Sequence, residues 1–197
     1  METWIIDGHV VEYIDETHTY LCDGIILPSI TQILKIEFGN KYKYVKDCVM
    51  ERSSYLGTVI HKVIEDYCKL GVEENCEELE GFKALQKEFK FDVKDNEIPI
   101  ILFYKNRPVA CGRLDLLLWD DEIGLMLGDI KRTSVLDKNY LECQLNLYKI
   151  GYEQCYHKEI KGLKGLHLRE SKRKYVDIPI NEERAIELLQ RFLDDNK

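Results

Sequence analysis

The chain has 197 residues, 45% of them hydrophobic, which is enough for one globular domain over residues 1–197 with a sizeable core. No apolar run is long enough to span a bilayer, and the opening METWIIDGHVVEY lacks the basic start and apolar stretch of a signal peptide. A formal charge of -8 argues against bulk attraction to nucleic acid or to an anionic membrane, so a soluble intracellular protein without membrane contact is expected.

The seven cysteines (Cys22, Cys48, Cys68, Cys76, Cys111, Cys143 and Cys155) are odd in number and form no C-x-x-C pair. Reduced thiols used as small packing residues fit this pattern better than a disulfide framework or a structural zinc site. Charge is uneven: GVEENCEELEGF (71–82) is acidic, whereas HKEIKGLKGLHLRESKRKY (157–175) collects lysine and arginine. A basic stripe on an acidic molecule is therefore allowed.

In chain order, WIIDGHVVEYIDETHTYLCDGIILPS alternates apolar and polar residues around Asp7-Gly8 and Asp23-Gly24, predicting short strands joined by turns. Ser29 reads as the cap of a helix through ITQILKI. Helical spacing of apolar residues predicts a helix over 53–70, ending near Gly71, and a second over about 76–91. IPIILFYK, PVACGRLDLLLW and IGLMLGDIK follow as three strands of a meander, with turns at NR and DDE. A long helix over about 138–156, a hairpin around ESKRK and a C-terminal helix from Asn181 complete the chain. The fold class predicted is mixed α/β (α+β).

Two carboxylates interrupt strands otherwise fit for burial. Asp115 stands among Leu114, Leu116, Leu117 and Leu118, and Asp129 follows Leu127 and Gly128. A buried carboxylate is costly unless it is paired, hydrogen-bonded or bound to a metal. In GLMLGDIKRTS, strand alternation puts Leu125, Leu127, Asp129 and Lys131 on one face. A strand-end salt bridge would account for this stretch taken alone. If the turn lies near 120–122, however, the hairpin brings Asp115 within a position or two of Asp129, and the oxygen-rich site so formed suits Mg²⁺ or Mn²⁺. His61 and Glu65 lie one helical turn apart, with Gly57 a turn earlier leaving room for another backbone. Gln144 and Tyr148 lie one turn apart on the long helix.

In order these motifs are Gly57-x-x-x-His61, Gly112-x-x-Asp115, Asp129-x-Lys131 and Gln144-x-x-x-Tyr148. The set resembles the PD-(D/E)XK nuclease superfamily in its RecB-like exonuclease branch, whose signatures are G-x-x-x-H, G-x-x-D, (D/E)-x-K and Q-x-x-x-Y. THTYLCDGIILPSITQIL also looks like the N-terminal segment of the phage and mitochondrial genome-maintenance exonucleases of that branch. The superfamily's proline is absent before Asp115, where Leu114 stands.

The resemblance implies a restriction-endonuclease-like core, a mixed central sheet flanked by helices, with an N-terminal hairpin and a C-terminal helix. It implies a Mg²⁺- or Mn²⁺-dependent DNA exonuclease, with one or two ions held by His61, Asp115, Asp129 and the Ile130 carbonyl. Asp115, Asp129 and Lys131 would be catalytic, with Lys131 positioning or deprotonating the attacking water. Gln144 and Tyr148 would contact DNA, with Arg52 facing phosphate and Glu65 supporting the metal ligands. Relatives with an iron–sulfur cluster carry three cysteines after the Q-x-x-x-Y helix; here only Cys155 follows Tyr148, so no cluster is expected. The implied partners are DNA with free ends and a single-strand annealing protein. The implied setting is a phage protein of recombination, repair or DNA processing in the host cytoplasm, with oligomeric state left open. The alternative is a non-catalytic nucleic-acid-binding or anti-defence protein that keeps the nuclease fold.

Overall fold

The computed structural model describes residues 1–39 and 46–196. Strands β1 (Glu2–Ile6), β2 (His9–Ile14), β3 (Thr19–Cys22) and β4 (Ile25–Leu27) form an antiparallel sheet in that order. Asp7 and Gly8 (φ 48° and 83°), and Asp23 and Gly24 (φ 51° and 78°), have positive φ at both central positions of their two-residue turns. Such turns match the twist of the strands they join. The predicted N-terminal hairpin is thus the first half of a four-stranded sheet. Its inner face, with Ile6, Val11, Tyr13, Tyr20 and Cys22, is buried in the larger of two cores.

Ser29 caps α1 (Ile30–Phe38) as predicted: its hydroxyl accepts the Gln32 N–H, and the Gln32 side chain accepts the Ser29 N–H at 2.7 Å. Helix α2 (Asp47–Leu70) starts earlier than the predicted Ser53, because residues 48–55 are exposed and offer no apolar periodicity to read. It is followed by α3 (Glu77–Phe89).

The central sheet runs β5 (Asp92–Tyr104), β6 (Arg107–Asp120), β7 (Gly124–Lys131), β8 (Gly162–Arg169) and β9 (Lys172–Ile178), in that spatial order. The predicted meander is β5–β6–β7. Its first turn falls at Lys105 and Asn106 (φ 51° and 60°), a residue before the predicted NR. β5 begins at Asp92 rather than Ile98, because its first half, DVKDNE, is polar. Helix α4 (Lys138–Tyr156) carries the chain from β7 to β8, which pair in parallel; β9 then returns antiparallel and leads to α5 (Glu182–Asp195).

Both sheet faces are covered, which is why β6 and β7 read as nearly continuous apolar runs. On one face, Leu117, Leu127 and Leu163 pack with Leu141, Leu145 and Leu188 of α4 and α5. On the other, Leu116, Leu118, Met126 and Leu166 pack with Ile60 and Ile64 of α2 and Leu79 and Phe82 of α3. Among the described residues no helix is long and apolar enough to cross a membrane.

Candidate active site

The register of the central sheet assembles the site. Leu116 pairs with Gly128, so Asp115 and Asp129 follow side by side, and the Asp115 Oδ2 accepts the Ile130 N–H at 2.7 Å. On the other side of β6, Asn96 pairs with Leu116 and Ile98 with Leu114, which sets Glu97 facing Asp115. From α2, His61 donates from Nε2 to the Ile130 carbonyl at 3.1 Å. Its Nδ1 lies 3.5 Å from Asp115 Oδ1 and 3.8 Å from Glu97 Oε1. The Lys131 ammonium sits 2.6 Å from Asp129 Oδ2. One donor atom each from His61, Glu97 and Asp115 falls within a span of 4.8 Å.

Three acids thus meet one imidazole, one ammonium and, on Glu97, the Arg113 guanidinium in a largely dry place; Asp129 is 1% exposed. Burial pushes the Asp129 carboxyl up to about 6 against the pull of Lys131, and burial likewise raises Asp115. Burial would lower His61, but Asp115 and Glu97 outweigh it and push the imidazole up to about 9. Burial would also lower Lys131, yet Asp129 and Asp115 hold it above its ordinary value. In this arrangement Lys131 is a charged donor rather than a ready base.

The residues fit a hard divalent cation on their donor chemistry. They offer carboxylate oxygens and the His61 Nδ1, from which a bound cation would displace the proton, and Asp129 Oδ1 is buried with no hydrogen-bond partner among the described residues. The Ile130 carbonyl accepts from His61, and a carbonyl oxygen has two lone pairs.

Gly112 and Tyr148, read in the sequence as parts of separate motifs, meet here. A Cβ on Gly112 would lie 2.8 Å from Tyr148 Cε1, so only glycine lets that ring lie against β6. Tyr148 is buried, and burial, then the nearby Asp115 and Asp129 charges, hold its phenol protonated. Gln144 is buried one turn away, its Oε1 without a hydrogen-bond partner among the described residues.

Two expected residues stand elsewhere. Glu65 shares the His61 side of α2, but its carboxylate pairs with Lys62 at 3.2 Å and Lys69 at 2.9 Å, drawn off by neighbours on its own helix. Arg52 is exposed nine residues before His61, which at 100° per residue puts it on the opposite face of the helix. Gly57 does not serve close packing either: a Cβ there would meet nothing within 4 Å among the described residues.

The acid that faces His61 is instead Glu97, which the sequence reading missed. Counting back from the β5–β6 turn, Tyr104 pairs with Arg107, which would set Asp115 opposite Asn96. A bulge between Leu102 and Phe103 shifts the register by one and brings Glu97 into line. Glu97 is in the left-handed region (φ 52°), a conformation costly for a residue with a Cβ and common at functional sites. Arg113 Nε holds its other oxygen at 2.7 Å and is itself tied to Glu2 of β1 at 3.0 Å.

No family model matches the sequence, and no curated protein matches it. Among solved structures, the chain is similar to one described as "Crystal structure of SSO0001", with 14% identity and a TM-score of 0.45 over 82% of this chain and 72% of that one.

Proposed function

We propose that this chain is a Mg²⁺- or Mn²⁺-dependent deoxyribonuclease that hydrolyses phosphodiester bonds from free DNA ends, of the RecB-like PD-(D/E)XK kind that its motifs resemble. The setting proposed is DNA recombination, repair or processing by a phage in the host cytoplasm, with a single-strand annealing protein as partner. One observation carries the reading: His61, Glu97, Asp115 and Asp129 converge at a strand end beside Lys131, with the buried Asp129 Oδ1 left unanswered among the described residues. Burying several carboxylates together is costly even when each has a cationic neighbour, and such clusters persist where a ligand or a reaction uses them.

In the proposed reaction, an oxygen of water bonds to phosphorus while the opposite P–O ester bond breaks. The water gives up a proton and the leaving oxygen gains one. A divalent cation, when bound, offsets the charge growing on the phosphate and makes the water easier to deprotonate. His61, Glu97, Asp115 and Asp129 supply its ligands. Lys131, kept charged by Asp129 and Asp115, holds the water and a phosphate oxygen in line by charge-assisted hydrogen bonds. Gln144, whose Oε1 has no partner among the described residues, and Tyr148, a protonated phenol, line the substrate side.

The test is incubation of the purified protein with end-labelled linear and covalently closed circular DNA in Mg²⁺, Mn²⁺ and EDTA. The proposal expects metal-dependent loss of the linear DNA, with the closed circle intact and EDTA abolishing the reaction. DNA that is bound but uncut in every metal would overturn it and leave the non-catalytic binding protein.

A further inference from the structure

About half of the cations among the described residues are ion-paired. Lys62, Lys69, Lys83, Lys149, Lys161 and Lys164 each sit beside a carboxylate. Lys138, Lys172, Arg173 and Lys174 are not paired, as Lys35, Lys87, Lys105 and Arg107 are not elsewhere on the surface; the first four stand out by their place in the fold. They are exposed, and among the described residues no acid pairs with them. Three of the four are on β9, the edge strand of the central sheet.

Register connects that edge to the carboxylate cluster. Lys131 pairs with His167 on β8, and His167 pairs with Lys174 on β9. Laterally paired residues share a face, and neighbouring strands lie ~4.8 Å apart, so Lys174 follows Lys131 on the same face about 10 Å away. His167 is buried and donates from Nε2 to the Thr133 carbonyl at 2.6 Å, pinning the segment after Lys131 to β8. Lys138 joins the row from above: Leu136 and Leu141 on either side of it both reach a Cβ position on Gly165, two residues before His167.

Alternation along β9 then sorts its cations. Lys172 and Lys174 share the face of Lys131. Arg173 pairs with Leu168, which belongs to the core beneath α3, and its Cβ lies 3.7 Å from a Cβ position on Gly81 of α3. Lys161 and Lys164, also in the basic segment, are taken up by Glu159 and Asp177.

We infer that the nucleic-acid strand flanking the scissile bond crosses the ends of β8 and β9, with its phosphates on Lys138, Lys174 and Lys172 and none on Arg173. This rests on the nuclease reading above and gives that site a direction. The distance from Lys131 to Lys174 matches about three nucleotides at the ~3.4 Å rise of one strand. Unpaired lysines facing one way on a chain of net charge -8 concentrate attraction where the strand must lie.

The experiment is fluorescence anisotropy with a fluorescein-labelled oligothymidylate in EDTA, over a series of salt concentrations. It compares the wild type with Lys174→Gln, Lys138→Gln and Arg173→Gln. The carboxylate cluster is common to all four proteins, so only their differences count. Loss of one phosphate contact lowers the slope of log affinity against log salt by about 0.7 for a single strand. Lys174→Gln and Lys138→Gln should each show that loss with several-fold weaker binding, and Arg173→Gln should show neither. An Arg173→Gln effect as large as that of Lys174→Gln, or no effect of either lysine, overturns the track. Mn²⁺-dependent cutting of the same oligonucleotide separates the two claims. If the wild type cuts it and the slopes are unchanged, the track alone falls; if the wild type neither binds nor cuts it, the nuclease reading falls as well.

Discussion

Among the described residues, two places bring together residue types able to hold a metal ion: His9, Cys22 and Asp23 at the N-terminal sheet, and His61, Glu97 and Asp115 at the central one. In the first, one acid meets one imidazole. Asp23 Oδ2 lies 2.6 Å from His9 Nδ1 and Oδ1 accepts the Val10 N–H at 2.9 Å, so both oxygens of this turn residue are answered by the start of β2. The His9 and Val10 hydrogen bonds hold the Asp23 carboxyl below the usual range, and burial pushes the Cys22 thiol up. In the second, three acids crowd together beside His61, Lys131 and Arg113, burial raises Asp115 and Asp129, and a buried oxygen of Asp129 is unanswered among the described residues. Residue type alone does not separate the two. Unanswered charge does, because a fold keeps buried like charges together only where something else is meant to neutralise them.

The comparison breaks most visibly with Asp115→Asn. Cleavage should fall by at least about 10³-fold, since the charge stabilisation a bound cation supplies is worth several kcal/mol. The same variant should melt a little higher than wild type in EDTA, because one of three crowded acids has lost its charge. Calorimetry and a cleavage time course check both. Lys131→Ala should cost about 10² to 10⁴ in rate, the usual worth of a group that positions or transfers a proton. It should still fold and still bind Mn²⁺. Near wild-type turnover would return GDIKRTS to an ordinary strand-end ion pair.

A buried acid whose charge is answered sharpens the contrast. Glu78 receives Arg132 Nε at 2.7 Å and the Glu170 N–H at 3.0 Å; burial would raise its carboxyl, but these bonds outweigh it and hold it below the ordinary value. A folded value below the unfolded one gives stability that is present above the unfolded pKa and lost as pH falls through the folded one. Glu78→Gln should therefore cost about 1.5–3 kcal/mol at neutral pH, and the deficit should shrink as both proteins are taken into acid. Thermal melts from neutral pH downward measure it; a deficit independent of pH would contradict the assignment. The smallest effect belongs to the N-terminal cluster. Asp23→Ala should lower the melting temperature less than Glu78→Gln and leave cleavage untouched.

Much of this was legible in the sequence because local chemistry and global fold agreed. Asp7-Gly8 and Asp23-Gly24 specified their turns, Ser29 its cap, and the bounds of α4 were read within a residue. Asp115, Asp129 and Lys131 stood out because charge in an apolar strand is costly wherever it occurs. Glu97 was hidden for the converse reason. It sits in a polar half-strand where an acid draws no notice, and its position depends on a bulge that no local residue announces. Glu65 misled because helical spacing gives the face but not the partner, and Lys62 and Lys69 were closer. Tyr148 and Gly112 signalled two motifs, whereas their contact is a property of α4 packed on β6.

The most direct measurement is a calorimetric titration of Mn²⁺ into the wild type, Glu97→Gln and Glu65→Gln. Glu97 faces His61 and Asp115 across the β5–β6 ladder, while Glu65 is held by two lysines on its own helix. The wild type and Glu65→Gln should bind alike, and Glu97→Gln should bind at least about tenfold more weakly, the low end of the cost of disturbing a metal site's supporting groups. A wild type that takes up no Mn²⁺, or a Glu65→Gln loss equal to that of Glu97→Gln, would contradict the account.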